Sequence, residues 1–314
     1  MVIVVTTIII SMNSSKHSGP SLSAVVPVAR MASKLNFLEA WIKECAGKSV
    51  EILLMHDFYD EATSHELKEL IANNLESNII FREDNFGSPG QARNMGIQLA
   101  KGEWIAFWDS DDIPNIEIVL EIIQKESKNQ ELDVIIGQYK VFDISKNVLM
   151  NKTHLDSSLN DVALNPGVWR MLFRRKSIKE IRFPPFKMAE DQNFLSTLSL
   201  PEKYFSFSND IFYTYYIGNL GQLTSQKLAV NDILNGARFT FTKIKNSNIV
   251  VQEFNATLFS RQIITGVKKG SLQVKISSLI LYFKALTENK SIFAILIIRS
   301  TLRIFLKSRN RKLA

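Results

Sequence analysis

The strongest constraint on the fold is an alternation that begins at Leu22. Short apolar runs, each ended by polar residues, exchange with segments whose apolar residues recur at helical spacing. Leu22 to Val28 (LSAVVPV) reads as a buried strand, after which Leu38, Trp41, Ile42 and Cys45 follow a helical period. Val50 to Met55 is a second strand, ended by His56-Asp57-Phe58-Tyr59-Asp60. Leu67, Leu70 and Ile71 mark the next helix, and Asn78 to Phe81 a short third strand. Ser88-Pro89-Gly90 opens a helix through Ala100, Gly102 stops it, and Glu103 to Trp108 forms a fourth strand running into Asp109-Ser110-Asp111-Asp112. Strands exchanging with helices predict an α/β fold with a doubly wound, mostly parallel sheet. Ligands of such sheets bind beyond the carboxyl ends of the strands, so polar residues directly after strands are the candidate functional groups.

After Pro114 a helix over Ile118, Val119, Ile122 and Ile123 leads to a strand from Val134 to Val141. A polar stretch, Asp143 to Asn165, separates it from Trp169 to Phe173, Glu190 to Leu198 and an aromatic strand from Ile211 to Ile217. The aromatic residues around that strand, Phe212, Tyr213, Tyr215 and Tyr216 among them, read as core and strand face, as do Trp104 and Trp108. From Lys227 onward the pattern is helical. Leu272, Ile276, Leu279, Ile280 and Phe283 form one stripe, and Ile295, Ile298, Leu302 and Phe305 another. This divides the chain into an extension (1–20), two halves of an α/β domain (21–115 and 116–226) and a helical C-terminal tail (227–314).

Composition removes several classes of function. A single cysteine, Cys45, excludes an internal disulfide or a cysteine zinc cluster, and His17, His56, His65 and His154 have no metal-ligand spacing. No GxGxxG follows the first strand, which argues against a dehydrogenase, and Val28-Ala-Arg-Met-Ala-Ser lacks the glycines that a sugar nucleotidyltransferase would want there. Met1 to Ile10 is apolar but has neither a basic leader nor a cleavage site, so residues 1–20 read as a loose extension and the default location is cytoplasmic. Residues 227–314 hold 16 Lys and Arg against three acids, whereas the first 226 residues hold 22 basic and 28 acidic side chains. A mildly acidic body with a strongly basic tail suits a module attached to something anionic.

The densest chemical signal is Asp109-Ser110-Asp111-Asp112. Three carboxylates at a strand end repel one another and call for a cation, and a divalent metal carrying phosphates is one candidate. An acidic turn in which Asp112 caps the next helix is the alternative. Asp57 closes the second strand, and Arg93 and Asn94 lie in a glycine-rich helix start suited to a diphosphate.

Leu22 to Arg30 (LSAVVPVAR), Val50 to Asp60 (VEILLMHDFYD), Asn85 to Gly96 and Ala100 to Asp112 (AKGEWIAFWDSDD) together resemble the ordered motifs of family 2 glycosyltransferases of the GT-A fold. Gly167-Val-Trp-Arg-Met-Leu-Phe-Arg-Arg and Ala189-Glu-Asp-Gln-Asn-Phe are similar to that family's acceptor-side segment and catalytic-base motif. The resemblance implies a GT-A nucleotide-diphospho-sugar transferase in which 21–115 binds the donor and 116–226 the acceptor. Pro27, Val28, Ala29 and Asp57 would bound the nucleotide base, and Arg93 would approach it or the phosphates. Asp109 would hold the ribose side and Asp111, with Asp109 beside it, the Mn²⁺ or Mg²⁺ bound to the diphosphate. Asp191 would be the general base, with Trp169 and Glu190 on the acceptor side. The implied activity is an inverting, metal-dependent, hexosyltransferase-type transfer from a UDP-sugar to a glycan or lipid-linked acceptor in surface-polysaccharide biosynthesis. The chain departs from the family pattern at His56, at Phe58-Tyr59 and at Ile113-Pro114. A non-catalytic glycan-binding protein on the same fold is the reading to set against it.

The basic tail lies outside the resemblance. Arg299, Arg303 and Lys307 recur every four residues beside an apolar stripe, with Arg309, Arg311 and Lys312 following, which is the format of a helix lying on an anionic membrane surface. A helical cap packed on the body is the alternative, and no nucleic-acid module is present. The expected setting is therefore peripheral, on the inner face of the cell membrane.

Overall fold

The computed structural model describes residues 7–10, 19–152, 158–218, 227–244, 247–287 and 291–313. In chain order it contains β1 (Thr7–Ile10), β2 (Leu22–Val28), α1 (Asn36–Ile42), β3 (Val50–Asp57), α2 (Glu61–Ala72), β4 (Asn78–Asp84) and α3 (Pro89–Leu99). Then come β5 (Trp104–Phe107), β6 (Ile113–Pro114), α4 (Ile116–Glu126), β7 (Val134–Asp143), β8 (Val148–Lys152), α5 (Leu159–Leu164), β9 (Met171–Arg174), α6 (Arg175–Ile178), α7 (Glu190–Leu198) and β10 (Phe205–Ile217). Helices α8 (Lys227–Ile244), α9 (Ile249–Lys269), α10 (Leu272–Thr287) and α11 (Ser291–Leu313) complete the chain. Contacts group it into two units. One comprises Met1–Leu155, Val168–Arg182 and Tyr204–Leu220, the other Asp156–Gly167, Phe183–Lys203 and Gly221–Ala314.

The first unit is built on a ten-stranded sheet of order β1-β4-β3-β2-β5-β9-β7-β10-β6, with β8 paired to β7. Strands β4, β3, β2 and β5 run parallel, as do β7 and β10, while β1, β6, β8 and β9 are antiparallel to their neighbours. Covered on both faces, β2 and β3 are apolar almost throughout. Trp41 and Trp108 meet edge to face at 5.3 Å, and Trp104 is fully buried with them. The helices start where their caps dictate. Asp60 accepts from the Thr63 N–H, Ser88 from the Gln91 N–H ahead of Pro89, and Asn115 from the Ile118 N–H.

Two expectations need correction. Residues 7–10 are not loose: they pair antiparallel with β4, from Thr7 opposite Arg82 to Ile10 opposite Ile79, and so cover what would be an open sheet edge. Residues 1–6 and 11–18 lie outside the described ones. The polar stretch from Asp143 to Asn165 is no plain separator, because Val148–Lys152 hairpins back onto β7 and Ser158 caps α5. The later strands β7, β9 and β10 join the same sheet as the first four.

A buried carboxylate locks the turn before β5. Glu51, on β3 and 1% exposed, accepts from the Ser23 hydroxyl at 2.5 Å and from the Lys101 and Gly102 N–H groups at 2.5 and 3.0 Å. Gly102 is required there, since a Cβ would come within 2.5 Å of the Ser23 backbone nitrogen. In the second unit, Ile233, Ala237 and Phe241 of α8 pack on Ala256, Phe259 and Ile263 of α9, and α10 and α11 add Val274, Leu281, Leu296 and Ile297 to that core. Gly102→Ala is expected to destabilise the protein by about 1–3 kcal/mol through backbone displacement, read as a lower denaturant midpoint.

Candidate functional site

The carboxyl ends of the neighbouring parallel strands β3, β2 and β5 bring the candidate groups together. Val28 pairs in register with His56, so Pro27, Val28 and Ala29 flank Asp57. His56 is fully buried, with Nδ1 3.0 Å from the Val28 carbonyl oxygen and Nε2 3.1 Å from that of Asp60. It packs rather than reacts, tying the 57–60 loop to the end of β2. Asp57 Oδ2 accepts from the Gly87 N–H at 3.2 Å, and Gly87 adopts φ +66°, a left-handed conformation that glycine takes without strain. Asp57 Oδ1 is buried with no hydrogen-bond partner in the protein. An acceptor in that state is unsatisfied until a ligand N–H or O–H reaches it.

At the end of β5 the chain stays pinned to β2 by the Trp108 N–H donating to the Val25 carbonyl at 3.1 Å, and then turns through the acidic residues. Asp109 Oδ1 accepts from Arg93 Nη2 at 2.7 Å; the arginine, on α3, is 5% exposed and the carboxylate 31%. The Asp109 N–H donates to the Tyr213 hydroxyl oxygen at 3.1 Å, and that hydroxyl donates to Asp112 Oδ2 at 2.8 Å. Asp112 Oδ1 accepts from the Tyr216 N–H at 2.7 Å. Both oxygens of Asp112 are thus engaged in holding β10 to the turn. It does not cap α4, a task that falls to Asn115.

Electrostatics follow from this crowding. Burial raises the Asp109 carboxyl above the ordinary range, against the pull of the Arg93 guanidinium and with a further push from Asp111. Asp112 is raised further, by burial and then by the Asp109 and Asp111 charges. Burial and the Asp112 and Asp109 charges push the Tyr213 phenol well above its usual value, so it stays a neutral donor. Among the described residues no three His, Cys, Asp or Glu side chains converge on a point, which rules out a closed protein cage there. Mg²⁺ or Mn²⁺ bound to a diphosphate needs only one or two carboxylates, and Asp111 with Asp109 fits that donor set while relieving their repulsion.

Trp169 is half-buried, stacked on Tyr213 and Tyr215 at 4.9 and 5.1 Å and edge-on to Tyr139 at 4.6 Å. It therefore braces the strand whose tyrosine holds the acidic turn. Arg170 beside it is fully buried, its guanidinium carbon 5.3 Å from the Tyr139 ring centre. Neither Tyr213 nor Arg170 stood out in the sequence; a polar-tipped aromatic in a strand read as core was the available signal for Tyr213.

Glu190 and Asp191 belong to the second unit. They begin α7 after Ala189, which takes φ +69°. Glu190 is 9% exposed and Asp191 half-buried, with Asp191 Oδ1 accepting from the Gln192 N–H at 2.7 Å. Asn193 anchors the helix by donating to the Gly236 carbonyl at 3.0 Å and to Thr240 Oγ1 at 2.8 Å. A Cβ on Gly236 would stand 3.0 Å from both the Ala189 Cβ and Asn193 Oδ1, so α8 fixes where the two acids begin.

Residues 23–196 match the family model described as Glycosyl transferase family 2. The glycosyltransferase GlyG of Streptococcus pneumoniae is 26% identical over 62% of this chain and 70% of its own length. The poly(ribitol-phosphate) beta-glucosyltransferase of Bacillus spizizenii is 30% identical over 64% of this chain, which spans only 33% of that relative. Residues 1–349 of Staphylococcus aureus TarS, solved in complex with UDP-GlcNAc, superpose with a TM-score of 0.62 at 18% identity, covering 92% of each chain.

Tyr213→Phe removes the hydroxyl between Asp109 and Asp112 and is expected to lower stability by about 1–3 kcal/mol in denaturant unfolding. Because native Asp112 titrates above its unfolded value, the native state binds more protons between the two, and stability falls as pH rises through that window. The contribution of Asp112 to the thermal midpoint of the ligand-free protein should accordingly decline as pH rises from about 4, against the opposite contributions of Asp60, Glu83 and Asp143, which are held below their ordinary range. Asp112→Asn should flatten that decline.

Proposed function

The chain belongs to glycosyl transferase family 2, and on that premise we propose that it is a metal-dependent, inverting hexosyltransferase using a UDP-sugar. The GT-A fold supports this reading, with Asp57 and Asp109 at strand ends of its sheet. The acceptor in this reading is a glycan or lipid-linked saccharide of a cell-surface polysaccharide, met at the inner face of an anionic membrane. A relative that acts on poly(ribitol-phosphate) supports that substrate class. The observation that carries the reading is the presence of Asp57, whose buried Oδ1 lacks a partner, at the end of β3 and of the Arg93–Asp109 ion pair beyond the end of β5, the two parallel strands that flank β2. An imide N–H of a nucleobase suits the first, and a ribose with its diphosphate suits the second.

In this mechanism Asp57 orients the base, and Arg93 fixes the carboxylate of Asp109 toward the ribose side. Asp111, with Asp109, would hold the divalent cation, which when bound supplies Lewis-acid neutralisation of the departing diphosphate. Asp191 accepts the proton of the acceptor hydroxyl while that oxygen forms its bond to the anomeric carbon. The bond from that carbon to the diphosphate oxygen breaks, its electron pair leaving with UDP. Attack on the face opposite the leaving group inverts the anomeric configuration. Glu190, more deeply buried than Asp191, serves to set the start of α7.

Thermal denaturation with nucleotide-sugars, with and without Mn²⁺, tests the donor site, since a ligand at a hundredfold its Kd adds about 2.7 kcal/mol to the native state. Asp111→Ala is expected to lose the metal-dependent part of that shift together with turnover. Asp191→Ala should keep the shift and lose transfer by about 10²–10⁴-fold. Near-normal turnover in either variant would remove the assigned role.

A further inference from the structure

Helices α10 and α11 each present two opposed faces. On α10, Val274, Ser278, Leu281 and Ala285 are buried. On α11, Leu296, Ile297 and Ser300 are buried. Hydroxyl contacts fix the rotation of α11. Thr257 Oγ1 lies 3.1 Å from Ser300 Oγ, the Thr301 hydroxyl donates to Ser260 Oγ at 3.2 Å, and the Tyr282 hydroxyl of α10 donates to Thr301 Oγ1 at 3.3 Å. Both inward faces are therefore committed to the core of their own unit.

The outward faces are apolar rather than polar. On α10 the residues Leu272, Ile276, Ile280 and Phe283 are 50–74% exposed, and on α11 Ile295, Leu302, Phe305 and Leu306 are 49–64% exposed. By helical geometry each set lies about 180° from the buried one. Lys275 and Lys284 stand roughly 90° to either side of the α10 stripe, where long cationic side chains can run along apolar surface with their charges in water. Arg299 is exposed beside the α11 stripe. The sequences of the two helices hold eight Lys and Arg and not one Asp or Glu. The side chains beyond Leu306, including Lys307, Arg309, Arg311 and Lys312, lie outside the described ones.

We infer that the outward faces of α10 and α11 form one docking surface for an anionic lipid bilayer, with the apolar stripes entering the interface and the flanking cations meeting the headgroups. This deepens the membrane partner of the reading above and rests on it only for its biological setting. Charge decides the occupant. A second copy of the chain would bring an acid-free cationic face against its own like, whereas an anionic surface complements it. No helix among the described residues is long and apolar enough to cross a membrane, so these two lie on it.

Sedimentation of the full chain with vesicles of phosphatidylcholine alone, or of equimolar phosphatidylcholine and phosphatidylglycerol, tests the inference. Binding is expected only with the anionic vesicles and is expected to weaken with salt. Lys284→Gln and Arg299→Gln should each reduce partition by about fivefold. Ile280→Ser with Phe283→Ser, or Ile295→Ser with Leu302→Ser, should reduce it by at least about tenfold. All these side chains are already exposed, so melting temperature and the response to nucleotide-sugar should be unchanged, which separates this surface from the donor site. Failure of the unaltered chain to bind anionic vesicles, or binding unaffected by the serine pairs, would overturn the inference. So would a dimer in light scattering that the serine pairs dissociate.

Discussion

One phenolic hydroxyl holds the acidic turn after β5 in shape. Tyr213 accepts from the Asp109 N–H and donates to the Asp112 carboxylate, joining β10 to a turn about a hundred residues earlier in the chain. Three neighbouring carboxylates would otherwise repel one another out of any fixed geometry. With Asp112 drawn onto β10 and Asp109 onto Arg93, the turn acquires a defined conformation before any ligand arrives. Trp169, stacked on both Tyr213 and Tyr215, then braces the tyrosine itself.

Two acids of β3 show how a structural carboxylate differs from one poised for a ligand. Glu51 near the amino end accepts from three donors of its own chain, all on Oε1. Asp57 at the carboxyl end receives a single N–H from Gly87 and keeps a buried oxygen unsatisfied. Glu51 is buried and Asp57 only partly so, and the more buried acid has the larger number of internal donors to offset its desolvation. Position along a parallel strand sets this outcome, because turns of the chain crowd one end while the other faces the crevice where ligands bind.

The same distinction explains what the sequence could and could not reveal. Apolar runs and caps such as Ser88 place the strands and helices, and once the alternation is read, Asp57 and Asp109 fall at strand ends without further information. Strands β1 and β8 were missed because an edge strand needs partners for its backbone on only one side and so carries weak patterning. The role of Asp112 stayed hidden because its partners, Tyr213 and Tyr216, meet it only through the pairing of β10 with β6. A cluster of three acids looked like one chemical unit, and folding divides it between a clamp and a candidate metal ligand.

The charge asymmetry of the chain now divides along physical lines. In the first unit the acidic excess includes carboxylates that burial and mutual repulsion make costly to ionise, with Arg93 as a partial counterweight. In the second unit the sequences of α10 and α11 hold cations and no acid, with Arg303 3.9 Å from Glu253 of α9, beside an uncovered apolar face. Neither imbalance is resolved within its own unit. Each is of the sign that an external partner of opposite charge would complete, in the reading proposed above a divalent cation in one case and an anionic surface in the other. Such completion stabilises the native state by mass action, so an unbalanced field of either sign can be kept at a site where a partner is regularly present.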